Sequence, residues 1–284
     1  MAETGAGAAA GAVAVITGAA GGIGGALARR FGAGGYRLAL LDKDGDRLSG
    51  VADELADRGV EVLALECDLA ETGRCEQAMG EVITAFGGVD VLINNAGLTH
   101  VSPLSETGEG VYRRLMEVNY FAALRCTKAA LPSLIERRGR IVVVSSVAGF
   151  TPLVRRSGYS ASKYALHGLF ESLRAELRPT GVGVMMVCPG FTRTDIEEHA
   201  LGGDGANIRH HRGTTGRMAE PAEVAEAVFR GLRRGRRLLV LSTVGKLSYL
   251  ISRLAPSLYE RLMLRTMARD EARARQTRSF IKHG

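Results

Sequence analysis

A doubly wound α/β fold, with a seven-stranded parallel sheet and helices on both faces in a single domain, is predicted from three observations. Seven apolar runs (Val13 to Ile16, Leu38 to Leu41, Val60 to Leu65, Val89 to Ile93, Ile141 to Val144, Val182 to Val187 and Leu238 to Leu241) alternate with stretches of helical periodicity. The runs are continuous, not alternating, as in strands buried on both faces. Across 284 residues there is no proline- or serine-rich linker, which keeps the chain to one domain. That domain is placed at 12–244, after an Ala- and Gly-rich leader over 1–11 expected to be disordered and before a basic extension over 245–284.

The first run passes directly into Thr17-Gly18-Ala19-Ala20-Gly21-Gly22-Ile23-Gly24 and then a helical stretch from Gly25 to Phe31. Glycines permit backbone torsions closed to other residues, and the amides at the positive end of a helix suit a pyrophosphate. With 37 glycines in the chain, such a turn is weak evidence alone. Its spacing, Thr-Gly-x-x-x-Gly-x-Gly, also differs from the G-x-G-x-x-G of ordinary dinucleotide folds. The second run ends on Asp42, where a carboxylate accepts hydrogen bonds from both hydroxyls of an adenosine ribose and repels a 2′-phosphate. The competing reading of Asp42 is a cap for the helix starting near Gly45.

Tyr159 and Lys163 lie four apart, so a helix sets the ammonium beside the phenol and favours its ionised form. A phenol ordinarily titrates near pH ~10, and bringing one to neutrality takes roughly three units, or about 4 kcal/mol. One lysine rarely supplies that; an oxidised nicotinamide ring would add a second positive charge. Pairs of this kind also arise by chance as partly solvated neighbours, so their surroundings decide. Ser146 lies thirteen residues before Tyr159, at the end of the run Ile141 to Val144.

Taken together, the turn Thr17 to Gly24, Asn94-Asn95-Ala96-Gly97, Asn119, Ser146, Tyr159 with Lys163, and Pro189-Gly190 resemble, in order and spacing, the short-chain dehydrogenase/reductase family over Ala12 to Leu241. The resemblance implies a Rossmann-type oxidoreductase, dependent on NAD(P), that interconverts a secondary alcohol and a ketone. It implies that Thr17, Gly18, Gly22, Ile23 and Gly24 form the cofactor turn and that Asp68, beside Leu69, receives the adenine amino group. Asn95, Ala96 and Gly97 are implied to line the adenosine side, although Asn94 and Asn95 also suit tying strands together. After Pro189 and Gly190, Thr192 by its backbone and Thr194 by its hydroxyl are implied to hold the nicotinamide carboxamide. Tyr159 is implied to exchange the alcohol proton while hydride moves to or from the nicotinamide, and Lys163 to lower the phenol pKa and hold the ribose. Ser146 is implied to bond the substrate oxygen, with Ser145 as its neighbouring competitor. Asn119 is implied to bend its helix and hold a water, against the reading of an ordinary polar helix residue. The glycine turn lacks the basic residue that family members using NADP often carry, so NAD is expected ahead of NADP; Lys43 leaves NADP open.

A glycine-rich substrate lid is expected at about 191–218, with Leu153, Val154, Thr99 and His100 lining the cleft by family analogy and suggesting a lipophilic substrate such as a hydroxysteroid or a long-chain or acyl-type ketone. Arg209, His210, His211 and Arg212 read as a solvated loop or as a site for an acidic group. From Arg230 onward lie 14 of the 37 Lys and Arg but only 3 of the 30 Asp and Glu, so the net charge of +7 belongs to the C-terminal part. There Leu247, Leu250, Ile251, Leu254, Leu258 and Leu262 recur at helical steps around Pro256. Three readings stand for this extension: packing over the cleft or a partner subunit, peripheral contact with an anionic membrane, and, least favoured for want of a motif, nucleic-acid binding.

Cys67, Cys75, Cys126 and Cys188 show no metal-ligand spacing and are expected to be buried thiols of a cytoplasmic protein; no metal is expected. No run approaches the roughly 18 apolar residues of a membrane span. The family resemblance implies a homodimer or homotetramer through helices Ser105 to Leu131 and Ser157 to Leu177. The alternatives to a soluble ketone reductase are a non-catalytic NAD-binding sensor or scaffold, disfavoured because the catalytic set is whole, and a lipid ketone reductase at the membrane surface.

Overall fold

The structure, a computed structural model, describes residues 11–197, 199–208 and 218–266. Most of the leader, the stretch Arg209 to Arg212 and the last part of the extension therefore lie outside the described residues. The chain alternates strand and helix as β1 (Val13–Thr17), α1 (Gly22–Gly32), β2 (Arg37–Asp42), α2 (Gly45–Ala56), β3 (Val62–Glu66), α3 (Arg74–Phe86) and β4 (Val91–Asn94). It continues through α4 (Glu109–Met116), α5 (Ala122–Glu136), β5 (Arg140–Val144), α6 (Ser157–Glu176), β6 (Gly183–Cys188), the short pair β7 (Ala200–Leu201) and β8 (Asn207–Ile208), α7 (Pro221–Arg233), β9 (Leu238–Val240) and α8 (Thr243–Leu254).

Every one of the seven apolar runs is a strand of one parallel sheet, in the order β3-β2-β1-β4-β5-β6-β9. Val15 on β1 pairs with Ala39 on one side and Leu92 on the other, and all five β1 residues are buried. Such burial follows from helices covering both faces, and it is why the strands read as unbroken apolar runs. One layer of the core joins α1, α2 and α7 to the sheet through Leu27, Phe31, Leu48 and Phe229; the other joins α3, α5 and α6 through Met79, Leu134 and Phe170. Between β1 and β4 the strand order reverses, so the connections leave to opposite faces and a crevice opens at the carboxyl ends of the strands.

Three departures from the expected elements have local causes. The helix predicted from Ser105 begins instead at Glu109, because Pro103 and Gly108 hold extended backbone, with ψ of 155° and 145°. It then widens into a π turn at Glu117–Phe121 and runs on as α5 to Glu136, beyond the expected Leu131. The segment expected to form a lid is, in its described part, a 3-10 turn at Asp195–Glu197 and the antiparallel pair β7 and β8. Gly205, at φ +83°, and the Asp204 carboxylate, which accepts from the Ala206 amide at 2.9 Å, close that hairpin.

The extension folds as α8 and, starting at Pro256, a second helical stretch at 256–266. Ser242 caps α8 by accepting from the Gly245 amide at 2.9 Å, and Tyr249 packs edge-on against Phe150 with ring centroids 4.9 Å apart. Leu247, Leu250 and Leu254 are left more than half exposed on the other side. No helix among the described residues is long and apolar enough to cross a membrane.

Candidate active site

A cleft of about 1640 Å³ occupies the crevice and brings together Gly18, Gly22, Ile23, Asp42, Asp68, Leu69, Asn95, Ala96, Gly97, Ser146, Tyr159, Lys163, Pro189, Gly190, Thr192 and Thr194. Of the residues assigned to catalysis or the cofactor, three do not line it: Thr17, Gly24 and Asn119 lie behind its wall. Their contacts show what they do there. The Thr17 hydroxyl accepts from the Asn95 and Ala96 amides at 2.9 and 3.0 Å, and the Asn95 side chain donates to the carbonyls of Thr17 and Gly18 at 2.9 and 3.0 Å. These bonds fasten the glycine turn to the end of β4. A side chain on Gly24 would put its Cβ 1.9 Å from the Gly18 carbonyl oxygen, so only glycine lets the turn close. Gly18 itself sits at φ +65°, and a Cβ on it would stand 2.8 Å from the Ala96 α-carbon.

The turn delivers the start of α1 to the cleft with no acidic residue in its first turn. Unpaired amides at the positive end of a helix, with bare glycine in front of them, form a fitting cradle for a pyrophosphate. The Asp42 carboxylate lies beside the cradle, accepting from the Ala20 amide at 2.9 Å and the Asp44 amide at 3.1 Å. The cap of α2 is Asp44, whose carboxylate accepts from the Arg47 amide, so Asp42 is not spent on that helix. Asp68 accepts from the Ala70 amide at 2.9 Å and keeps its place at the far end of the cleft. Sequence reasoning missed Arg47. Its guanidinium lies against Gly21 and pairs across the cleft mouth with Asp195 at 2.8 Å. Nothing local in the sequence marks that pair, whose members are 148 residues apart.

Toward the other end, α6 presents Tyr159 and Lys163 to the same wall. Lys163 is buried, donates to the Val144 carbonyl at 3.0 Å, and has its Nζ 5.8 Å from the centre of the Tyr159 ring. Burial pushes its pKa down to about 8, opposed in part by the neighbouring Cys188 thiol. Gly97 faces this ammonium, and a Cβ there would stand 3.4 Å from it. The Ser146 hydroxyl accepts from the Ala148 amide at 3.1 Å, which leaves its own proton to donate into the cleft. Ser145 also lines the cleft, though its hydroxyl oxygen is shielded from solvent and has no hydrogen-bond partner among the described residues.

Asn119 sits in the π turn, where its side chain is fully engaged: Oδ1 accepts from the Leu98 amide at 2.7 Å, while Nδ2 donates to the Leu98 carbonyl and to Ser162 on α6. It therefore anchors the Leu98 loop to α6. Beside it a cavity of about 10 Å³, the room one water needs, is bordered by Thr17, Asn94 and Asn119, and the Asn94 Oδ1 has no hydrogen-bond partner among the described residues. Of the expected substrate wall, Leu153 and Thr99 line the cleft, Val154 does not, and His100 is turned inward and fully buried. Val244, Ser248 and Tyr259 bring the extension to the cleft rim. Among the described residues no cluster of His, Cys, Asp and Glu could hold a metal ion, and all four cysteines are free and buried.

Comparison with known proteins identifies the family. The family model for short chain dehydrogenases matches residues 12–202. Dehydrogenase/reductase SDR family member 7B of Xenopus laevis is 37% identical over 280 residues, covering 95% of this chain and 87% of that protein. The Drosophila melanogaster dehydrogenase/reductase SDR family protein 7-like is 34% identical over 267 residues, covering 92% and 82%. Among solved structures, an alcohol dehydrogenase from the archaeon Thermococcus sibiricus complexed with 5-hydroxy-NADP superposes with a TM-score of 0.70 at 32% identity, over 80% of this chain and 94% of that one. A short chain dehydrogenase/reductase from Burkholderia phymatum in complex with NAD gives 0.78 at 25% identity, over 87% and 95%. The chain belongs to the short-chain dehydrogenase/reductase family and is an NAD(P)-dependent oxidoreductase.

Proposed function

We propose that the protein interconverts a secondary alcohol and a ketone on a lipophilic molecule, with NAD as the preferred cofactor. The observation that carries this reading is the Tyr159 and Lys163 pair on one face of α6, at the wall of a cleft whose other end is the glycine cradle. The nicotinamide, when bound, supplies or accepts the hydride. Gly18, Gly22 and the first amides of α1 would hold its pyrophosphate, Asp42 its adenosine ribose, and Thr192 and Thr194 its carboxamide. Tyr159 gives the proton to the forming alcohol or takes it from the alcohol being oxidised. Lys163, still mostly an ammonium at neutral pH with a pKa of about 8, favours the phenolate and faces the space left bare by Gly97. Ser146 donates to the substrate oxygen where negative charge develops.

The preference for NAD rests on the Asp42 carboxylate at the cradle, whose charge opposes a 2′-phosphate. Lipophilic substrate is favoured by Leu98, Leu153, Ile196, Leu201 and Val244 along the cleft. A screen of secondary alcohols, hydroxysteroids and 3-oxoacyl thioesters with NAD(H) and NADP(H), read at the reduced-nicotinamide band, tests both points. Turnover of lipophilic members with NAD(H) is expected; activity confined to small hydrophilic alcohols, or to NADP(H), would overturn the respective half.

A peripheral membrane location within the cytoplasm is favoured by one observation. Leu247, Leu250, Leu254, Leu258, Leu262 and Leu264 are all 42–76% exposed, interleaved with Lys246, Arg253, Arg261 and Arg265, beside the cleft rim. Apolar side chains set among cations suit an anionic bilayer surface. Co-sedimentation with phosphatidylserine vesicles should fall sharply in the Leu250→Glu, Leu254→Glu double variant; equal sedimentation of both proteins would remove the membrane reading. A homodimer through α4, α5 and α6 completes the proposal, with light scattering after size exclusion as its test.

A further inference from the structure

His100 stands outside the reacting groups, yet it is fully buried and its Nδ1 accepts from the backbone amide of Tyr159 at 3.3 Å. Tyr159 is the third residue of α6, so its amide is one of the first-turn donors that find no partner within the helix. A local side chain usually fills that need, but the cap position here is Arg156, which makes no side-chain cap bond. The imidazole supplies the cap from 59 residues away. An Nδ1 acceptor requires the ring proton on Nε2, and burial, aided by the Arg156 cation, pushes the His100 pKa down to about 4 and keeps the ring neutral. Its Nε2 has no hydrogen-bond partner among the described residues. A buried donor left unpaired costs stability, so leucine or phenylalanine would be the better residue here if filling space were the only task.

The same few residues are also stitched to the lid. The Leu201 amide on β7 donates to the Thr99 carbonyl, and the Val101 amide donates back to the Leu201 carbonyl, both at 2.9 Å. On the opposite side the Ser102 amide donates to the Arg155 carbonyl at 2.9 Å, and Arg156 Nη1 donates to the Thr99 hydroxyl at 2.8 Å. Residues 99–102 thus form a strut with the lid strand on one side and the front of α6 on the other.

We propose that His100 is a positioning residue: it fixes the first turn of α6, and with it the Tyr159 side chain, and links that turn to the lid through the 99–102 strut. The proposal rests on Tyr159 being the acid-base group, and its test separates the two ideas. Hydrogen exchange is followed in the full-length protein on peptides covering 157–160 and 199–203, alongside turnover of the best alcohol from the screen. Asparagine carries an oxygen where His100 carries Nδ1, and leucine carries no acceptor. His100→Leu should speed exchange of the Tyr159 amide at least about 10-fold, loosen the lid peptide, and lower kcat by about 10²-fold, the scale of a small misplacement of a reacting group. NADH binding should stay within about twofold, because the cradle of α1 is untouched. His100→Asn should restore both slow exchange and most of kcat. Should the leucine variant fail to fold, the Asn and Gln variants decide, since Gln sets its acceptor one bond further out and should behave poorly. Wild-type exchange and kcat in His100→Leu, or Asn and Gln variants of equal activity, would overturn the positioning role. A fully active Tyr159→Phe protein would instead overturn the reading beneath it.

Discussion

The two ends of the cleft are made in opposite ways. The cradle at the cofactor end is local: β1, the glycine turn and α1 follow one another within twenty residues, Gly24 closes against the Gly18 carbonyl, and only the Asn95 side chain braces the turn from afar. The substrate end is assembled from distant pieces, with His100 capping the helix of Tyr159, β7 laid along Thr99 to Val101, and Tyr249 of α8 against Phe150. A cradle that must accept the same dinucleotide can be written as one short motif. A wall built from separated parts can be fitted to a particular alcohol piece by piece.

The contrast can be broken at defined points. Lys163→Met should lower kcat by about 10³-fold, within the range of acid–base catalysis, because the Tyr159 phenol loses the charge that readies it for proton transfer. It should also raise the melting temperature of the cofactor-free protein by several degrees. The buried ammonium is depressed from an ordinary 10.5 to about 8, a cost on the order of 3 kcal/mol to the empty fold. Below pH 8 both folded and unfolded chains hold the proton and the cost is full. From pH 8 toward 10.5 only the unfolded chain still binds it, so stability rises with pH and the gap between variant and wild type should narrow. Scanning calorimetry from pH 7 to 10 checks this; a variant less stable than wild type throughout would show that the ammonium stabilises the site.

Gly24→Ala should weaken NADH binding by about 10²-fold while costing about 1–3 kcal/mol of stability, because its Cβ cannot coexist with the Gly18 carbonyl in the present turn. Fluorescence titration with NADH gives the affinity, and unchanged binding would mean the turn is not the cradle. Asp42→Ala should raise the ratio of NADP to NAD efficiency by about tenfold or more, the worth of roughly 1.4 kcal/mol. An unchanged preference for NAD would place ribose recognition elsewhere. Arg47→Ala should do least, since both partners of its pair with Asp195 are about half exposed and such pairs contribute about 0–1 kcal/mol. A two- to threefold faster NADH release, about 0.5 kcal/mol, is the expected size.

The fold was legible because a parallel sheet covered on both faces forces continuous apolar strands, and each of the seven runs carries that mark. Tyr159, Lys163, Ser146 and the glycine turn were legible because they occupy fixed spacings within one strand-to-helix unit each. Thr17, Gly24 and Asn119 were found by the same motifs, but the structure gives their side chains or bare α-carbon to holding the wall together. The start of α4 was misplaced because helical composition at Ser105 is overridden by extended backbone at Pro103 and Gly108. His100 was expected on the cleft wall, and its contact with the Tyr159 amide, like the pairing of Arg47 with Asp195, was beyond sequence reasoning, since each partner is brought near only by the fold.

The central claim is that Tyr159 carries the proton in a cleft whose cofactor end works independently. Replacing Tyr159 by Phe and measuring single-turnover chemistry and NADH affinity on the same preparation tests it directly. The account predicts turnover reduced to the detection limit, with NADH affinity within about twofold of wild type, since a loss of less than about 0.4 kcal/mol leaves the cradle whole. Substantial turnover by the Phe variant, above about one tenth of wild type, would contradict it, because a loss that small falls below the contribution of an acid-base group.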